Sequence, residues 1–129
     1  MKRLLISVVA FLSLPNVVHS SHLNNQKELI VTTESTKESI ELAKYLNDKG
    51  VVKYSAYWCP NCLNQSELFG KQAYKELNVV ECAREGINSQ TQLCIDKEIK
   101  GFPTWEINGK LILGVLSLKE LSKLTGFNN

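Results

Sequence analysis

Short runs of β-branched and aromatic residues alternate along the chain with longer stretches in which apolar side chains return every three or four positions. Strands interleaved with amphipathic helices produce this pattern. Leu29 to Thr33 reads as a short first strand. Ser35 with Glu38 makes a capping-box pattern, and Ile40, Leu42, Ala43 and Leu46 then form a helical stripe that ends near Gly50. Val51 to Tyr57 reads as a second strand. From Pro60 to Leu77 the residues Leu63, Leu68, Phe69, Ala73 and Leu77 predict a helix, with Gly70 as a point of kinking or close packing. Asn78 to Cys82 is a third strand, and Ser89 with Gln92 opens a helix to about Glu98 that carries Cys94. The segments "FPTWEI" and "LILGVL" flank Asn108-Gly109, a two-residue hairpin turn in which both residues tolerate positive φ. Ser117 with Glu120 caps a last helix, on which Leu118, Leu121 and Leu124 face one way before Gly126 ends it.

The order β-α-β-α-β-α-β-β-α predicts an α/β domain. Ahead of it, residues 1–20 have the layout of a secretory signal. Lys2 and Arg3 precede an apolar run from Leu4 to Leu14, and Pro15 breaks that run before Val18-His19-Ser20. The run is shorter than the roughly 20 residues of a comfortable membrane span. An uncleaved anchor and a buried helix remain the alternatives. Residues 21–28 form a polar leader, and residues 29–129 form the domain, enough for one modest core. The chain is thus expected to be exported.

Fifteen basic and thirteen acidic residues, formal net charge +2, are scattered without a basic stripe, which argues against nucleic-acid binding. The four cysteines, Cys59, Cys62, Cys82 and Cys94, would lie in an exported chain where disulfides persist. They permit three pairings, and spacing does not choose among them. A zinc site would need four convergent ligands. The interval between Cys82 and Cys94 does not repeat a paired knuckle, and His19 and His22 lie in or beside the signal. No metal or other cofactor is expected.

"AYWCPNC" places Cys59 and Cys62 at a strand-to-helix junction. A helix N-terminus has unpaired N–H groups and a partial positive charge, so a thiolate there is favoured over a thiol. Pro60 suits the first helical turn because its missing N–H has no partner there. Cys59 is then the exposed nucleophile and Cys62 the less exposed resolving thiol of a cofactor-free two-electron couple. A structural crosslink is the plainer reading, but a C-x-x-C ring closes so small a loop that it restrains the unfolded chain little.

Taken together, "WCPNC", the element order and "GFPTW" resemble the thioredoxin superfamily. The run through "ECAREG", "TQLC" and "GFPTWEINGK" is similar in particular to the thioredoxin-like domain of bacterial and plant vitamin K epoxide reductase homologues. The resemblance covers roughly residues 51–127. It implies a thioredoxin-like fold with a central mixed sheet flanked by helices, and it makes Cys59 and Cys62 the redox pair. Phe102, Pro103 and Thr104 become the cis-proline loop that faces the pair and receives an extended substrate segment, while Cys82 and Cys94 become a structural disulfide or, alternatively, a second relay. Trp58, Pro60, Asn61 and Lys53 are the candidates for tuning. Thioredoxins carry a buried carboxylate six residues before the first active cysteine, where this chain has Lys53; that lysine either sits beside the pair and favours thiolate or points to solvent. Asn61 stands where strong oxidants often carry histidine.

The function so implied is that of a monomeric, exported thiol-disulfide oxidoreductase of the periplasm or thylakoid lumen. It would pass a Cys59–Cys62 disulfide to cysteines of exported proteins during protein folding and be reoxidised by a membrane quinone-linked partner resembling vitamin K epoxide reductase. The alternatives are a disulfide reductase or isomerase, and a non-catalytic binding module. Trp58, Tyr57, Phe102 and Trp105 are candidates for docking unfolded substrates, although aromatics at strand ends are more often core.

Overall fold

The structure, a computed structural model, describes residues 27–128. The signal-like residues 1–20 and most of the leader lie outside the described residues. In chain order the elements are α1 (Lys37–Asp48), β1 (Val52–Ser55), α2 (Pro60–Phe69), α3 (Lys71–Tyr74), β2 (Val79–Glu81), α4 (Thr91–Asp96), β3 (Thr104–Ile107), β4 (Lys110–Leu113) and α5 (Leu118–Thr125). The four strands form one mixed sheet in the order β2-β1-β3-β4. β1 runs parallel to β2, with Tyr54 opposite Val80, and antiparallel to β3, with Tyr54 opposite Thr104. The β3–β4 hairpin turns at Asn108 (φ 51°) and Gly109 (φ 76°), the two residues that tolerate this conformation.

Alternation along the strands divides the interior into two layers. Leu42, Ala43 and Leu46 of α1, Phe69 of α2, Ala73 of α3 and Leu121 of α5 pack on Trp105 and Ile107 of β3. On the other face, Tyr54 and Val80 pack with Cys82 and with Cys94 of α4. Among the described residues no helix is long and apolar enough to cross a membrane.

Leu29 to Thr33 is not a strand. Its β-branched residues suit a ladder, but the backbone donors go elsewhere: Thr32 N and Thr33 N donate to the two carboxylate oxygens of Glu67 at 2.9 and 2.8 Å. Lys27, the first described residue, makes an isolated bridge to Gly86. The expected helix from Pro60 to Leu77 breaks at Gly70, whose φ of 82° starts a separate turn. A Cβ there would lie 2.5 Å from Ser35 N, so this glycine serves close packing.

Two capping boxes are also corrected. Thr36 caps α1 by accepting from Ser39 N, because Ser35 Oγ is engaged as acceptor for Ala73 N of α3. The side chain of Ser89 bonds that of Thr91, Thr91 Oγ1 donates to the Cys82 carbonyl, and α4 starts uncapped after Gln90 and ends at Asp96. The Ser117–Glu120 box forms as expected, and Gly126 ends α5 in the left-handed region. Leu121 faces the core, whereas Leu124 is exposed.

Candidate active site

β1 delivers the chain through buried Ala56 to a tight turn in which Cys59 N donates to the Ala56 carbonyl at 3.0 Å. Cys59 is the N-cap of α2, with extended backbone (φ −82°, ψ 117°). Its sulfur accepts from Cys62 N at 3.3 Å, the role a serine or aspartate oxygen usually takes. Pro60 follows at the first helical position, as the missing N–H favours. The local sequence therefore aims the Cys59 sulfur at the donors and the positive end of α2.

Both thiols are free. Cys59, expected to be exposed, is buried at 7% exposure because Leu29, Ala83 and Phe102 pack over its cluster, and Cys62 at 0% lies deeper still. Ala56, Leu29, Ala83 and Phe102 pack around the pair. Burial pushes the Cys62 thiol up to about 11. Ser55 Oγ is buried without a conventional hydrogen-bond partner, and its polar company is the Cys62 sulfur, whose thiolate it would favour.

The loop before β3 closes the site. The Phe102 carbonyl accepts from the Cys59 thiol at 3.6 Å, the Phe102–Pro103 bond is cis, and Thr104 is buried with its hydroxyl donating to the Gly101 carbonyl. Trp58 is 60% exposed and meets Phe102 edge-on, ring centroids 6.1 Å apart. Beside them a depression of about 340 Å³ is lined by Tyr57, Trp58, Ala83, Arg84 and Glu85. Trp105 belongs instead to the core. Pro60 and Asn61 are exposed.

Lys53 points inward and is fully buried. Its Nζ donates to Ser66 Oγ at 2.6 Å, lies 3.4 Å from the Cys62 carbonyl oxygen and sits 5.3 Å from the centre of the Tyr74 ring. Burial lowers the amine to about 8, an effect opposed by the nearby charges of Cys62, Cys59 and Glu81.

Cys82 and Cys94 are bonded to each other, Cα atoms 5.8 Å apart, on the α4 side of the sheet. They therefore do not join Cys59 and Cys62 in a four-sulfur cluster. Phe102 packs against both of the clusters that hold the sulfur pairs.

Sequence reasoning missed the polar side of α2. The apolar count began at Leu63, yet Leu63 and Leu68 are exposed while Cys62, Gln65, Ser66 and Phe69 are buried. Counting from Cys62 at helical spacing selects those four. Ser66 bridges Lys53 and the Cys62 carbonyl. Gln65 Oε1 accepts from Trp105 Nε1 and Leu116 N, and its Nε2 donates to the Leu116 carbonyl.

The sequence model of the family described as thioredoxin matches residues 27–119. Over 101 residues the chain is 46% identical to a thiol-disulfide oxidoreductase of Arabidopsis thaliana; the aligned part covers 76% of this chain and 27% of that protein. The chain thus matches about a quarter of the relative's length. With the sheet, the capped sulfur and the proline loop in place, this similarity makes the chain a member of the thioredoxin family.

Proposed function

We propose that the chain is a thiol-disulfide oxidoreductase that oxidises cysteines of exported proteins through the Cys59–Cys62 pair. The observation that carries this reading is the sulfur of Cys59 at the N-cap of α2, with Cys62 buried behind it. A substrate thiolate attacks Cys59 Sγ of the disulfide; a substrate–Cys59 bond forms, and the bond to Cys62 breaks with its electron pair left on Cys62. The high proton affinity of that buried sulfur lets it take up a proton. A second substrate thiol, having lost its proton to solvent, then attacks the substrate sulfur of the mixed disulfide as thiolate, expels Cys59 as thiolate and leaves the substrate oxidised by two electrons. The Phe102 carbonyl faces this exchange, and exposed Trp58 offers an apolar surface to an unfolded segment.

The N-terminal layout supports export, and the resemblance to domains of vitamin K epoxide reductase homologues supports a quinone-linked membrane oxidoreductase as the partner that removes the electrons. The testing experiment is oxidative refolding of a reduced disulfide protein by the oxidised chain. Cys59→Ser should abolish turnover, and Cys62→Ser should accumulate mixed disulfides with substrate. Full turnover by Cys59→Ser would refute the proposal.

A further inference from the structure

Among the described residues no carboxylate lies at ion-pair distance from the buried amine of Lys53, although salt bridges form between others. The groups facing it are Cys59, Cys62 and Ser66 from α2, Tyr74 from α3 and Glu81 from β2. Ser66 and the Cys62 carbonyl accept its hydrogen bonds but bring no charge. Burial raises the Glu81 carboxyl, whose charge acts on Lys53 without an ion-pair contact. A buried charge left uncompensated is costly, and removing one partner of such a pair costs more than replacing both. The cysteine pair can add negative charge beside the amine, and only when it is reduced.

We propose that Lys53 is a positioning residue that sets the redox poise: its buried ammonium favours the anionic, reduced form of the Cys59–Cys62 pair over the neutral disulfide. The disulfide is therefore a stronger oxidant than the same fold would hold with a neutral side chain at this position. Reduction by a dithiol breaks the S–S bond and puts two electrons on the pair. One sulfur keeps its negative charge near the ammonium, and Cys62 takes a proton. An oxidant whose reduced state is stabilised in this way has a raised potential. The inference rests on the disulfide-exchange reading and gives it a direction.

The test equilibrates the full chain with mixtures of reduced and oxidised glutathione and counts free thiols by alkylation. Lys53→Met keeps the side-chain length without the charge. It should lower the equilibrium constant for oxidising glutathione at least tenfold, about 30 mV for a two-electron couple, and move the midpoint of thiolate absorbance at 240 nm to higher pH. Lys53→Gln should give the same direction. Constants within twofold of wild type in either variant overturn the proposal. If neither variant folds, melting of the two wild-type states decides: the reduced protein should melt higher than the oxidised one, and the reverse order overturns the proposal. A wild type that does not equilibrate with glutathione at all refutes the exchange reading itself and the tuning with it.

Discussion

Replacing Gln65 by leucine should cost much more than the change in its surface area suggests. The side chain is fully buried and joins three groups: Trp105 Nε1 at 3.1 Å, Leu116 N at 2.7 Å and the Leu116 carbonyl at 2.9 Å. Leucine fills similar space and satisfies none of them. The indole N–H belongs to a residue only 1% exposed, so losing its acceptor costs about 1–3 kcal/mol. Leu116 is half-buried and water can reach part of its backbone, so each of its two bonds is worth about 0.5–1.5 kcal/mol. The apolar side chain returns about 1 kcal/mol by burial, leaving a net loss of about 1–5 kcal/mol. Urea unfolding followed by circular dichroism should show a lower midpoint with an unchanged slope. In a Trp105→Phe background, where the indole donor is gone, the cost of Gln65→Leu should shrink by about 1 kcal/mol. A Gln65→Leu cost below about 0.5 kcal/mol, or a cycle without coupling, would refute this account of how α2 is held to β3 and to the segment before α5.

Removing the second disulfide as Cys82→Ala with Cys94→Ala frees a loop spanned by a sequence separation of 12, for an expected loss of about 2–3 kcal/mol in urea midpoint experiments; an unchanged midpoint would contradict it. Gly70→Ala forces a Cβ to within 2.5 Å of Ser35 N at a φ of 82° and should destabilise by more than about 1 kcal/mol, a loss that thermal melts would reveal. The Glu67 carboxyl is held down at about 2 by the Thr33 side chain and by the amides of Thr32 and Thr33. Its folded pKa lies below the unfolded one, so its contribution is complete above about 4.5 and fades as pH falls through 2. Acid titration of Glu67→Gln should lack that component, and parallel curves would count against it. Lys53, lowered from 10.5 to about 8, binds its proton more weakly when folded, so the unfolded chain holds more protons between those values and stability rises with pH there. Relative to Lys53→Met, wild type should gain on the order of 3 kcal/mol from pH 8 to 10.5, and a difference independent of pH would refute the weakened proton binding.

Where one local rule acts without competition, sequence and structure agree. Asn108-Gly109 turns because both residues accept positive φ, Ser117 and Glu120 satisfy each other, and Pro60 behind Cys59 starts α2. The misreadings arise where a distant partner outbids a local one. Thr32 and Thr33 have strand-forming side chains, yet their amides belong to Glu67, far along the chain. Ser35 suits an N-cap, yet its hydroxyl serves Ala73 and the cap passes to Thr36. The buried polar face of α2 was hidden for a related reason: Gln65 and Ser66 become interior residues only through partners on β1, β3 and the segment before α5. The reaction centre was legible because its two cysteines lie three positions apart in sequence. The orientation of Lys53 was not, since alternation along one short strand leaves both faces open until α2 covers one of them.

The seating of the first described residues has a practical consequence for attachment. Lys27 bridges Gly86, and Leu29 packs on the cluster that holds Ala56, Cys59 and Cys62. Anything joined ahead of Lys27 leaves from the rim of the reaction face, with a reach of at most about 3.5 Å per residue. A short tether there would leash the sulfurs close to its fixing point and limit which substrates fit between. A bulky fusion at the same place would shade Cys59. The other end of the described chain, where the Phe127 ring meets that of Tyr45 of α1 at a tilt and packs outside that cluster, is the better handle for immobilising the protein away from the cysteine pair.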